Sequence, residues 1–207
     1  MGRFPRLYAI VDRATLDARS VDVREFAREL REAGVRLVQY RDKLNGPQEI
    51  LRAAREIDAA FEGVEVTRMM NDRADLAVLT GWDGVHVGQE DLGAEAARRV
   101  GVGIVGISTH NEQQVGAAIA SEPDYVAVGP VFGTVSKVDA EPMVGLELVR
   151  RARAMTELPI VAIGGITLAN ARSVIEAGAD AVAVIGGLFV DGRRVSEVAR
   201  DFLEVLG

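Results

Sequence analysis

The sequence predicts an α/β chain folded as a (β/α)8 TIM barrel in a single domain, residues 1–207. Short apolar runs and amphipathic helical patterns alternate along its 207 residues, giving eight strand–helix units. Several runs are rich in Val and Ile and continuously apolar, as strands covered on both faces should be. No linker-like or low-complexity stretch divides the chain.

The strands are expected at 7–11, 36–41, 65–71, 84–87, 103–108, 125–128, 160–163 and 181–185. Helical patterns are expected at 23–33, 47–61, 74–80, 94–100, 112–120, 145–155, 169–177 and 195–205. After the first strand stands Val11-Asp12-Arg13-Ala14 rather than Gly-x-Gly-x-x-Gly, which counts against a doubly wound open sheet. Pro47 suits a first helical turn, and Asn170 suits a helix start. Gly34 and Gly178 each close a helix before a strand, where a left-handed C-cap fits. With eight units in so short a chain, the loops must be brief.

Composition narrows the function. Hydrophobic residues make up 48%, enough for a sizeable core. A net charge of −7 argues against a nonspecific nucleic-acid binder, but leaves room for a local phosphate site. With no cysteine, disulfides, thiolate catalysis and cysteine-ligated metals are excluded. The first residues are too polar for a signal peptide, and no apolar run is long enough to span a bilayer. The expectation is a cytoplasmic enzyme acting on small molecules, with no nucleic-acid or membrane partner. Assembly into a homo-oligomer is left open.

In a barrel the reactive groups gather at the C-terminal ends of the strands. Gln39, Arg41 and Lys43 alternate along one strand and share its face. Asn71-Asp72 ends the next strand, and Gln89-Glu90-Asp91 follows the one after. A later strand runs into Gly129-Pro130-Val131-Phe132-Gly133-Thr134-Val135-Ser136-Lys137. Cations beside carboxylates at several strand mouths suit a metal-bound polyphosphate that must be stabilised as it leaves. The competing reading is a structural ion network joining Arg41 and Lys43 to Asp72 or a neighbouring acid.

Asp72 and Asp91 are candidate Mg2+ ligands, since Mg2+ takes one or two carboxylates and completes its shell with phosphate oxygens and water. As helix caps they would instead start the helices after Arg73 and Gly93. The pairs Gly164-Gly165 and Gly186-Gly187 end the last two strands, where barrels commonly bind phosphate through backbone N–H groups; tight turns would need glycine equally. His86, inside a strand, reads as a hydrogen-bonded inner residue. His110, at a strand end, could serve as an acid–base group or simply start a helix. Tyr8, Phe132 and Trp82 could stack on a heterocycle, although Trp82 fits core packing better.

The motifs Gln39-Tyr40-Arg41-Asp42-Lys43, Asn71-Asp72-Arg73, Gly84-Val85-His86-Val87-Gly88-Gln89-Glu90-Asp91, Gly106-Ile107-Ser108-Thr109-His110, Gly129-Pro130-Val131-Phe132, Thr134-x-Ser136-Lys137 and Ile163-Gly164-Gly165-Ile166 resemble those of the thiamine-phosphate synthase family. The resemblance covers nearly the whole chain. It implies a (β/α)8 barrel and a Mg2+-dependent condensation of a hydroxymethylpyrimidine diphosphate with a hydroxyethylthiazole phosphate, giving thiamine monophosphate and pyrophosphate. It further implies that Gln39, Arg41, Lys43, Asn71, Ser108 and Lys137 contact the pyrimidine diphosphate, and that Asp72 and Asp91 bind Mg2+. Thr134, Ser136, Gly165, Ile185 and Gly186 would hold the thiazole phosphate. Arg41, Lys43, Lys137 and Ser108 would act in catalysis, and Tyr40, Asp42 and Val135 would also take part in binding substrate. The chain departs from the family pattern at Gly133, where the family usually has Pro, at Ser136 for Thr, and at Gly186, where a Ser hydroxyl is usual. A thiazole tautomerase resembles the same barrel and would use His110 as acid–base; it has no need of Lys43, Asp72, Asp91 and Lys137.

Overall fold

The computed structural model describes residues 4–133 and 142–207. Eight parallel strands, hydrogen-bonded in chain order, close into a barrel. They are β1 (Leu7–Asp12), β2 (Leu37–Arg41), β3 (Thr67–Asn71), β4 (Gly84–Val87), β5 (Ile104–Thr109), β6 (Tyr125–Val128), β7 (Ile160–Ile163) and β8 (Ala181–Val184). β8 pairs back onto β1, with Leu7 opposite Val182 and Ala9 opposite Val184.

The helices are α1 (Arg13–Ala18), α2 (Val23–Ala33), α3 (Pro47–Ala60), α4 (Ala74–Thr80), α5 (Ala94–Val100), α6 (Glu112–Ala120), α7 (Gly145–Met155), α8 (Ala171–Glu176) and α9 (Val195–Leu206). A short 3-10 helix, Gly186–Leu188, follows β8. Among the described residues, no helix is long and apolar enough to cross a membrane.

Strand alternation divides the core into two parts. Val38, Tyr40, Met70, Val85, Val105 and Val126 belong to the layer between barrel and helices. Leu37, Met69, Tyr125, Val161, Ala181 and Ala183 fill the barrel interior. One small residue governs that interior. A Cβ on Gly106 would fall within the Tyr125 ring, so only glycine lets this large side chain cross the barrel.

Several strand ends shift by one or two residues, β3 starting at Thr67 rather than 65, and three further details differ from the sequence reading. The helix α1 was not anticipated: its six residues bury only Leu16, too little for a periodic signal. Its cue is Asp12, whose side chain accepts from Thr15 N as an N-cap. The pattern at 169–177 shortens to α8, because Asn170 turns its side chain to the preceding loop, accepting from Thr167 N and donating to Gly165 O. The last strand ends at Val184, and the glycine pair enters the 3-10 helix.

Candidate active site

The C-terminal ends of the strands surround a cavity lined by Gln39, Arg41, Asn71, His86 and Ser108 on its polar side. Ile10, Ala127, Val161, Ile163, Ala183 and Ile185 form its apolar wall. Such a mixture suits a flat heterocycle with a few polar edges. Alternation along β2 puts Gln39 and Arg41 in this cavity while turning Tyr40 outward into the barrel–helix layer. Tyr40 is therefore placed away from any ligand in the cavity. Its hydroxyl donates to Asp42 Oδ2 at 2.9 Å.

Asp42 is likewise occupied with its own loop. It accepts from Leu44 N, Asn45 N and Asn45 Nδ2 at 2.9–3.0 Å. Burial works against the charge, but hydrogen bonds from Asn45, Leu44 and Tyr40 together hold its carboxyl below the ordinary range. The loop so ordered carries Lys43.

Two ion pairs order the charged side of the mouth. Arg41 meets Asp12 Oδ1 at 2.6 Å, with the Asp12 side chain 1% exposed. Lys43 Nζ meets Asp72 Oδ2 at 2.9 Å. Asp12 is a site residue that sequence reasoning passed over; the signal available was an acid directly at the end of the first strand. Its other oxygen accepts from Thr15 N and Oγ1, so one carboxylate starts α1 and fixes a guanidinium.

Asp72 does not cap α4, whose N-cap is Arg73, and Asp91 does not cap α5, whose N-cap is Gly93. Asp72 stands at a left-handed backbone position, φ 61°. That conformation is uncommon for a residue with a side chain, and it accompanies local function more often than chance. Burial pushes the Asp72 carboxyl up; hydrogen-bonding contact with Asp91 adds to this, against the opposing pull of Lys43. Asp91 is held by Gly88 N, which donates to its Oδ2 at 2.8 Å. Lys43 offsets the repulsion between the two carboxylates from the Asp72 side only, and two hard oxygen donors of this kind fit Mg2+. Among the described residues no group of three or more His, Cys, Asp or Glu gathers to hold a metal.

His86 occupies the expected inner position, with Nδ1 2.8 Å from the Tyr125 hydroxyl and Nε2 2.8 Å from Ser108 Oγ. Gln89 Nε2 donates to Ser108 O at 2.6 Å, steadying the end of β5. His110 Nδ1 lies 2.6 Å from Gly129 O, a carbonyl that can only accept, so this nitrogen carries the proton. Trp82 is core: it is buried and donates Nε1 to Asp58.

On the opposite side of the mouth, Ile185 borders the cavity and Gly186 opens the 3-10 helix. Gly165 has φ 62° and packs on Phe132 and Gly133, so its glycine identity has a steric cause. Val131 N donates to Ile163 O, and Phe132 N to Gly164 O. Thr134, Val135, Ser136 and Lys137 lie outside the described residues.

Comparison with known proteins agrees with this architecture. Residues 7–188 match the family model described as thiamine monophosphate synthase. The chain is 50% identical over 209 residues to a thiamine-phosphate synthase of Koribacter versatilis, covering 99% of this chain and 97% of the relative. It is 40% identical over 200 residues to one from Methanoregula boonei, covering 96% and 91%. A solved structure of thiamine phosphate pyrophosphorylase from Pyrococcus furiosus superposes with a TM-score of 0.84 at 28% identity, covering 97% of this chain and 95% of that one. With a family model matched across most of its length and a relative half identical from end to end, the chain belongs to the thiamine monophosphate synthase family.

Proposed function

We propose that the protein is a thiamine-phosphate synthase, a transferase that joins a hydroxymethylpyrimidine diphosphate to a hydroxyethylthiazole phosphate with loss of pyrophosphate. The observation that carries this reading is the clustering of Arg41, Gln39, Asn71 and Ser108 at one barrel mouth, with the Lys43–Asp72–Asp91 group at the adjoining strand ends.

The pyrimidine lies against Ile163, Ile185 and Ala183, with its polar edge toward Gln39, Asn71 and Ser108. Its diphosphate extends toward Arg41 and Lys43. Arg41 is held by Asp12, so its charge is aimed before substrate arrives and little reorganisation is needed as the leaving group gains charge. Lys43 reaches the same place from the Asp42-ordered loop, and Lys137 is proposed to add a third cation. Asp72 and Asp91 would hold Mg2+, which when bound offsets charge on the departing pyrophosphate.

The electron-rich aminopyrimidine can bear positive charge at its methylene carbon as the C–O bond breaks. The thiazole nitrogen then forms the new C–N bond. This path asks the protein for alignment and charge neutralisation rather than for a nucleophile. The barrel cavity, walled by aliphatic side chains, also keeps water from capturing the cation. For the thiazole phosphate we place Gly165, Ile185 and Gly186 with Thr134, Val135 and Ser136, where the loops after β7 and β8 and a short extra helix resemble the phosphate site common in barrels.

The test is direct: purified protein with both phosphorylated heterocycles and Mg2+ should form thiamine monophosphate, and EDTA should stop it. Lys137→Ala should cut turnover by about a hundredfold or more with the fold intact. Absence of product from wild-type protein with both substrates and Mg2+ would defeat the assignment. Full activity in Lys137→Ala would remove that residue from the mechanism.

A further inference from the structure

Beneath the mouth, six side chains from six strands join in one hydrogen-bonded chain: Asn71, Gln39, Tyr8, Tyr125, His86 and Ser108. Counting protons gives the chain a direction. Tyr8 has one hydroxyl proton and donates it to Gln39 Oε1 at 2.8 Å. Its 3.1 Å bond with Tyr125 must therefore be donated by Tyr125. Tyr125 then has no proton left, so its 2.8 Å bond with His86 is donated by Nδ1–H. The direction requires a neutral ring: an imidazole protonated at Nδ1 alone accepts at Nε2, and there it would take the Ser108 hydroxyl proton at 2.8 Å. At the other end Gln39 Nε2 donates to Asn71 Oδ1 at 2.9 Å, which leaves Asn71 its amide N–H groups for a ligand. Ser108 is left with oxygen lone pairs.

We propose that Tyr8, Tyr125 and His86 are positioning residues that set this polarity, and that the polarity makes the pocket selective for an amino- over an oxo-pyrimidine. The proposal rests on the pyrimidine assignment above and adds the means of selection. Ser108 and Asn71 line the same cavity on either side of His86. A heterocycle between them must bring a donor to Ser108 and an acceptor to Asn71. An aminopyrimidine carries both, as an exocyclic N–H and an adjacent unprotonated ring nitrogen. The oxo tautomer carries the opposite pair, a carbonyl oxygen and a ring N–H. It would set lone pair against lone pair at Ser108 and N–H against N–H at Asn71, leaving polar groups on both sides without a partner.

The order is concerted. Reversing any one link reverses its neighbours until Asn71 presents oxygen and Ser108 presents its proton. Packing does not depend on it: Tyr125 stacks on His86 with ring centroids 5.6 Å apart and meets Tyr8 edge-on at 6.0 Å, contacts that phenylalanine preserves.

The experiment uses the full chain labelled with 15N-histidine, His86 being assigned by comparison with His110→Gln. In the resting wild-type protein the His86 signals should show a protonated Nδ1 and an unprotonated Nε2. In Tyr8→Phe, Tyr125 loses its acceptor and turns its proton to His86 Nδ1, so the ring proton should move to Nε2. Direct binding of the aminopyrimidine diphosphate and its oxo analogue, each without the thiazole partner, should show selectivity falling at least tenfold, about the cost of one buried mismatched polar contact. A wild-type His86 protonated at Nε2 would overturn the proposal, as would a Tyr8→Phe protein whose tautomer and selectivity are both unchanged. The ring protons are read on the resting protein, so this result stands apart from whether thiamine monophosphate is formed.

Discussion

Asp12 and Arg41 are register partners across β1 and β2, and their side chains meet at 2.6 Å with the carboxylate almost wholly buried. The backbone pairing brings the two residues level, and the ion pair then fixes where the guanidinium can point. Removing the acid leaves a partly buried cation with no fixed direction and deprives α1 of its cap. Asp12→Ala should lose about 3 kcal/mol of stability, in the range found when one partner of a buried pair is deleted. In the fraction that remains folded, kcat/KM for the pyrimidine diphosphate should fall by about tenfold or more. Thermal melting and steady-state kinetics measure the two effects separately. Unchanged kinetics in a folded Asp12→Ala protein would show that Arg41 does not need its partner.

The contact between Asp72 and Asp91 predicts a metal response that can be seen without turnover. Mg2+ should raise the melting temperature of the wild-type protein, since a cation that binds only the folded state stabilises it by mass action. Asp72→Asn should abolish that rise. The same substitution should leave metal-free stability equal or higher, because burial and Asp91 already disfavour the charge at Asp72 and asparagine tolerates its left-handed backbone. An undiminished Mg2+ response in Asp72→Asn would place the metal elsewhere.

Asp42 gives a pH dependence of definite sign. Its carboxyl is held below the ordinary value in the folded protein, so its charged form stabilises the fold. That contribution is complete above about pH 4, the unfolded value, and is lost as pH falls through the lower folded value. Asp42→Asn should lower the melting temperature at neutral pH, and the gap between variant and wild type should narrow on acidification below pH 4. A gap independent of pH would show that charge is irrelevant at this position.

The packing of Tyr125 over Gly106 predicts a steric penalty inside the barrel. Gly106→Ala should cost about 2 kcal/mol through overpacking. Chemical denaturation measures this as a lower midpoint with an unchanged slope. A tolerant Gly106→Ala would mean that the ring can move aside freely.

Much of the barrel was legible because buried parallel strands and the helices covering them differ in hydrophobic period. β4, β6 and β7 occupy the expected residues, as do α2, α4, α5, α6 and α7. What escaped is local. α1 and the 3-10 helix are too short to show a period, and α1 is announced only by the Asp12 cap. In the site, alternation correctly assigned Gln39 and Arg41 to one face, but Lys43, expected on that face too, lies past the end of β2 in the following loop, and the same alternation turns Tyr40, expected to contact substrate, away from the cavity. The hydrogen-bonded chain beneath the mouth could not be read from spacing. Tyr8 and Tyr125 are 117 residues apart, and only closure of the barrel brings their hydroxyls together.

The mating of the β6 and β7 loops limits what can be changed around the proposed thiazole-phosphate site. Val131 and Phe132 donate to Ile163 and Gly164, while any side chain at Gly164 or Gly165 would run into Pro130, Phe132 or Gly133. The two loops therefore behave as a single casting, and altering either glycine would disturb the stem from which Thr134 and its neighbours depart. Ile185 borders the cavity from a different strand end, so trimming it would alter the proposed pyrimidine wall without recasting that joint.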